Sequence, residues 1–102
     1  MNKEDLEKLR DRSIERLVAV ASDYGADYIE RNPDNAPCYC SSCNEMMAIA
    51  FNNLIATAPL CDSNKWKAEA VVFDKRGKST HYISTHENPL RAAAIVYLLM
   101  QE

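Results

Sequence analysis

The stretch that ends the chain constrains its fold more than any other. From Pro89 to Met100 every residue except Arg91 is apolar or aromatic. Asn88 is suited to cap a helix and Pro89 is pre-shaped for the first helical turn. A helix that is apolar all round cannot lie with one side in water. It must be enclosed between a sheet and a second helix, or its outer face must serve as an oligomer interface. Ala92, Ala93 and Ala94 would let its backbone approach a sheet closely.

A sheet is predicted just upstream. Trp66 to Phe73 alternates, with Trp66, Ala68, Ala70 and Val72 on one face and Lys67, Glu69, Val71 and Phe73 on the other. Asp74-Lys75-Arg76-Gly77 has the form of a short hairpin turn, with Gly77 able to take a left-handed conformation. Lys78 to Thr85 returns as the partner strand. Two registers are open: a four-residue turn puts His81 and Ile83 on the Trp66 face, and a three-residue turn with a bulge puts Thr80 and Tyr82 there. The first is preferred, since Ile83 belongs inside and Lys78 outside. Leu54 to Leu60 is a further short strand that Pro59 confines to a strand end or sheet edge.

The N-terminal part reads as one amphipathic helix over residues 1–31. Leu6, Leu9, Ile14, Leu17, Val18, Ala21, Tyr24 and Tyr28 recur at helical spacing, with a bend expected at Gly25 and a stop at Asn32-Pro33. Residues 32–44 read as a cysteine-containing loop and 45–102 as sheet and closing helix. Within the latter, Asn44 to Asn53 fits a short helix as well as a strand. The expectation is one α+β domain, in which an antiparallel sheet of about three strands packs with an N-terminal and a C-terminal helix.

The run Asn88-Pro89-Leu90-Arg91-Ala92-Ala93-Ala94-Ile95-Val96 resembles the helix-opening motif that ends the small phage "ABA sandwich" proteins, which include the NinX-like proteins of lambdoid phages. The similarity extends over Trp66 to Gln101 and, more loosely, over Leu9 to Ala21. Asp23 to Ser63, with its cysteines, departs from the pattern. The resemblance implies a phage accessory protein and carries no catalytic residues with it.

Charge and composition narrow the function classes. The net charge is -3, with cations and anions interspersed, so no basic stripe exists to track a phosphate backbone, and generic nucleic-acid binding is not expected. The charged start Asn2 to Lys8 lacks a signal-like apolar core, and the apolar run Ala92 to Met100 falls well short of the ~20 residues of a membrane span. A cytoplasmic protein of the bacterial host is expected. With Gly25 and Gly77 as its two glycines, the chain has no phosphate-cradling loop.

The cysteines are the grouping with site-like spacing. Cys40-x-x-Cys43 can aim two thiolates at one tetrahedral ion, and Cys38 and Cys61 could complete a zinc site, with His81 or His86 as substitutes. Against zinc stand the single pair and the lack of a nearby glycine. The alternative is free thiols packed as small hydrophobes. Arg91, near the positive end of the closing helix, is a candidate anion-binding residue, or else an ion-pair partner of Glu87 or Asp74. Trp66 and Tyr82, with Tyr97 and Met100, could line a pocket for a planar ligand, or be core. No nucleophile, base and orienting group converge in the sequence. With the phage-type resemblance, which is what implies a host target, the expected function is a non-enzymatic protein that binds a host component, such as a CRISPR effector or a nucleotide-signalling system, to blunt antiphage defence, with a homodimer as one assembly. A zinc-stabilised interaction module in phage gene control is the alternative.

Overall fold

The closing helix forms where its capping signals place it. In the computed structural model, which describes residues 2–22, 24–61 and 63–101, Asn88 is extended and its Oδ1 accepts the Leu90 N–H at 2.9 Å. From there α5 runs over Pro89–Met100 and is buried from Arg91 to Leu98. It packs on an antiparallel sheet formed by β1 (Ala56–Pro59), β2 (Trp66–Phe73) and β3 (Ser79–His86) in the order β1-β2-β3. Its remaining sides meet α1 (Lys3–Glu7), α2 (Asp11–Ala21) and α4 (Cys43–Asn52). The helix is thus enclosed between sheet and helical layer, which is how an all-round apolar helix avoids water. Ala68 and Ala70 of the sheet and Ala92, Ala93 and Ala94 of α5 are all buried, and these small side chains let helix and sheet approach closely. The fold is α+β, as expected.

The N-terminal helix is not continuous. It is three pieces, α1, α2 and α3 (Ala26–Arg31), although the apolar spacing does mark buried positions at Leu6, Ile14 and Val18; in α3 the buried residue is Ile29, and Tyr28, which the spacing marked, is exposed. The first break has a distant cause. In an unbroken helix the carbonyls of Glu7 and Leu9 would accept N–H groups four residues on; here the Arg91 guanidinium takes both, at 3.1 and 2.6 Å. At the second break Ser22 leaves helical geometry and Gly25 starts α3 from an extended conformation. The Tyr97 hydroxyl donates to the Ala21 carbonyl at 3.2 Å, satisfying an acceptor at the end of α2. The expected loop holds a 3-10 turn at Pro33–Asn35, and the ambiguous segment after it is helical, starting at Cys43.

The hairpin adopts the other register. Trp66 faces His86, Ala68 faces Ser84, Ala70 faces Tyr82 and Val72 faces Thr80, so Tyr82 shares the Trp66 face while His81 and Ile83 point to the opposite side. The turn explains it. Gly77 is left-handed at φ 81° and its N–H closes a turn onto the Asp74 carbonyl, while the Asp74 N–H donates to the Lys78 carbonyl. Asp74 Oδ1 also accepts from the N–H groups of Arg76 and Lys78 at 2.8 and 2.9 Å. This is a three-residue loop with a glycine bulge. Its consequence is an inner face of small residues against α5 and an outer face on which Val71, Phe73 and Ile83 are exposed.

Candidate functional site: a cleft lined by tyrosine and asparagine

The structure places Arg91 inside the molecule. The residue is only 5% exposed, and Nη1 donates to Asp11 Oδ1 at 2.6 Å while Nη2 reaches the Glu7 and Leu9 carbonyls. Its ion-pair partner is Asp11 rather than Glu87 or Asp74. Facing inward, with Nη1 and Nη2 engaged and Nε buried without a partner, the guanidinium fastens the α1–α2 joint.

The cysteine segment is also tied to the scaffold. Cys40 is buried, its N–H donates to Glu15 Oε2 at 3.0 Å, and its carbonyl accepts from Asn88 Nδ2 at 2.6 Å. Glu15 is buried too, and Oε1 accepts from Arg12 Nη1 at 3.2 Å. Arg12 in turn donates from Nη2 to the Pro33 and Asp34 carbonyls. Burial, then the neighbouring Asp11 and Glu15 carboxylates, push the Cys40 thiol up to about 12. It is therefore a neutral thiol packed in the core. Cys38, Cys43 and Cys61 are exposed, Cys43 being the first residue of α4. Among the described residues no three His, Cys, Asp or Glu side chains group as a metal ion would need.

Trp66 and Tyr82 share the inner face of the sheet but lie at different levels, opposite His86 and Ala70. Both are partly buried, and Tyr82 packs against the core. Neither lines the cleft described below, although Tyr97 does. His86 Nδ1 accepts the Asn88 N–H at 2.9 Å. On the outer face His81 Nε2 lies 2.9 Å from Glu69 Oε2, and this hydrogen bond, with Lys67 nearby, holds the Glu69 carboxyl below its ordinary range.

A concavity lies elsewhere, in the helical layer. A cleft of about 580 Å³ is bounded by Ser22 and Tyr24 at the α2–α3 joint, Pro37 and Tyr39 of the loop, Tyr97 of α5, and one face of α4. That face carries two parallel rows at four-residue spacing, Asn44-Ala48-Asn52 and Glu45-Ile49-Asn53. Tyr39 is anchored through a 3.5 Å contact between its hydroxyl and Ser22 Oγ, and Tyr24 stacks on Tyr28 with centroids 5.7 Å apart. Asn53 spends its amide donor on the Ile49 carbonyl at 2.8 Å. Asn44, Glu45 and Asn52 are exposed, and their side chains make no hydrogen bond or ion pair among the described residues.

Among the described residues Glu45 is the one charged side chain lining the cleft, and none of the lining residues is Lys, Arg or His. A phosphate would meet no positive partner there. The volume is that of an ordinary small-molecule or short-peptide site. Rigid aromatic walls beside free amides and one carboxylate suit a ligand with hydrogen-bonding groups that is neutral or cationic. Sequence reasoning missed this face, yet α4 did carry a signal: Asn44 and Asn52 fall eight residues apart on one helical stripe, where asparagine is a poor helix former and has no packing role.

Compared with known proteins, the chain matches no family model, no curated protein and no solved structure. Among the described residues no helix is long and apolar enough to cross a membrane.

Proposed function

We propose that this chain is a non-catalytic accessory protein, of the small phage type that its Asn88 to Val96 motif resembles, which binds a protein of the bacterial host through the α4 cleft and so blunts an antiphage defence. The observation that carries the reading is the cleft's chemistry: Asn44, Glu45 and Asn52 stand free beside Tyr24, Tyr39 and Tyr97. The groups that a catalytic or anion-binding role would draw on are engaged in the scaffold instead, namely Arg91 on Asp11 and backbone carbonyls, Glu15 on Cys40 and Arg12, and Lys67 on Glu69. The matching ligand is a basic side chain on an exposed segment of the partner, a Lys or Arg whose head meets Glu45 and whose stem lies along the tyrosines.

The test is plaque formation on bacteria that carry defined defence systems and express the chain. Wild type is expected to raise plaque counts in at least one system, and the double variant Glu45→Lys with Asn52→Lys is expected to abolish the gain at unchanged melting temperature. No gain across CRISPR and nucleotide-signalling systems would refute the anti-defence role. An undiminished gain in the double variant would refute the cleft as its binding site.

A further inference from the structure

The two edges of the sheet are treated differently. β1 is four residues long and ends in Pro59, which has no N–H to offer, so that edge is blunted. β3 runs eight residues from Ser79 to His86 with no proline and no Lys, Arg, Asp or Glu. It forms the other edge, paired to β2 alone. Nothing in its sequence discourages a further strand.

The backbone bonds available there follow from the hairpin. The Asp74 N–H donates to the Lys78 carbonyl, and hydrogen-bonded positions alternate along an antiparallel ladder. The β3 residues that face β2 with their N–H and carbonyl groups are therefore Thr80, Tyr82, Ser84 and His86. Those of Ser79, His81, Ile83 and Thr85 point away from the sheet. The side chains of these four residues are all exposed.

We propose that the protein pairs with a second copy of itself, β3 against β3 in antiparallel register about a two-fold axis at Tyr82, to form a six-stranded sheet. In this register Ser79 of one copy faces Thr85 of the other and His81 faces Ile83, so every outward N–H and carbonyl of the edge finds a partner. A shift by two residues in either direction leaves one end unpaired. The facing side chains match: hydroxyl meets hydroxyl at both ends, no like charges oppose, and Thr80 faces Ser84 on the inner side. The contact is the same patch on both copies, as a closed two-fold interface requires. The outer apolar stripe of Val71, Phe73 and Ile83 would then continue across the joint.

The test is light scattering on size-exclusion fractions across micromolar to near-millimolar loading, with substitutions at exposed positions that leave the monomer intact. Wild type is expected to shift from monomer to dimer as concentration rises. The variant Ser79→Lys with Thr85→Lys places lysines opposite each other twice and should remain monomeric. Ser79→Lys with Thr85→Glu places opposite charges there and should restore the dimer. Register is read separately, in a background with Cys38, Cys43 and Cys61 replaced by Ser. Tyr82→Cys sits on the axis at a Cα separation of about 4.5 Å, within disulfide reach, and should cross-link on oxidation. Thr80→Cys, roughly 13 Å from its copy, should not. A monomer at every concentration, a dimer indifferent to the paired lysines, or cross-linking through Thr80→Cys in place of Tyr82→Cys would overturn the proposal.

Discussion

Replacing Arg91 by Met keeps the bulk of the stem and removes the guanidinium. Three contacts go with it: Asp11 at 2.6 Å, the Leu9 carbonyl at 2.6 Å and the Glu7 carbonyl at 3.1 Å. Asp11 is 57% exposed and can turn to water, so its loss counts at the surface ion-pair value of about 0–1 kcal/mol. The two carbonyls lose a charged donor, worth roughly 1.5–3 kcal/mol each before neighbouring effects overlap. An overall loss of about 3 kcal/mol is expected, a large part of the ~5–15 kcal/mol available to a domain of this size. Urea unfolding should show it as a lower midpoint at unchanged slope. Arg91→Lys keeps the charge without the fork and should lose more than about 1 kcal/mol, whereas Asp11→Asn should lose less. If Arg91→Met cost under about 1 kcal/mol, or Arg91→Lys matched wild type, the guanidinium would not be what holds α1 and α2 apart. An arginine kept for binding an anion would also leave stability nearly unchanged when replaced.

Four further outcomes are expected. Iodoacetamide at pH 8 should label Cys38, Cys43 and Cys61 in the native protein and spare Cys40, read by peptide mass; four rapid adducts would contradict a buried Cys40, and joint protection of Cys43 and Cys61 would revive a zinc site. The same thiol ionises near 9.0 when unfolded and near 12 when folded, so the native state keeps a proton that the unfolded chain releases. Its contribution is complete below about pH 9 and fades towards pH 12, and wild type should lose stability more steeply than Cys40→Ala over that window; parallel pH profiles would refute this. Leu54 is left-handed at φ 55° with its side chain 85% exposed, so Leu54→Gly should raise stability by about 1 kcal/mol in thermal melts, and a loss would show that the exposed leucine packs on something. Ser84 is fully buried opposite Ala68 with Oγ unpartnered, so Ser84→Ala should be neutral or stabilising by about 1 kcal/mol; a loss beyond that in urea unfolding would mean the hydroxyl has a partner.

The parts of this fold legible in the sequence are those fixed by neighbours along the chain. Asn88 and Pro89 define the start of α5 within two residues, and the alternation from Trp66 to Phe73 needs no distant partner. The first N-terminal break was illegible because its cause, Arg91, lies about eighty residues away, whereas the second falls where Gly25 marked a bend. Apolar spacing records which side chains are buried, and it does so alike for one helix or for two that share a stripe. Register failed for a different reason: Asp74 to Gly77 supports either turn, and the choice rests on whether Ile83 or Ser84 can fit beneath an alanine-lined helix. The cleft was hidden because no single segment forms it. The polar residues of the closing segment show what the recognisable motif does. Asn88 takes the Cys40 carbonyl, Arg91 takes those of Glu7 and Leu9, and Tyr97 takes that of Ala21. Each is a backbone acceptor at a point where the helical layer is interrupted, and each would otherwise be left without an intrahelical donor. The closing segment is thus a strut that makes those interruptions affordable, and one interruption, at Ser22 to Gly25, opens the wall of the tyrosine cleft. The polar residues of Asn88 to Tyr97 thus act on the scaffold, and in the function proposed above it is α4 and the loop before it that meet the partner.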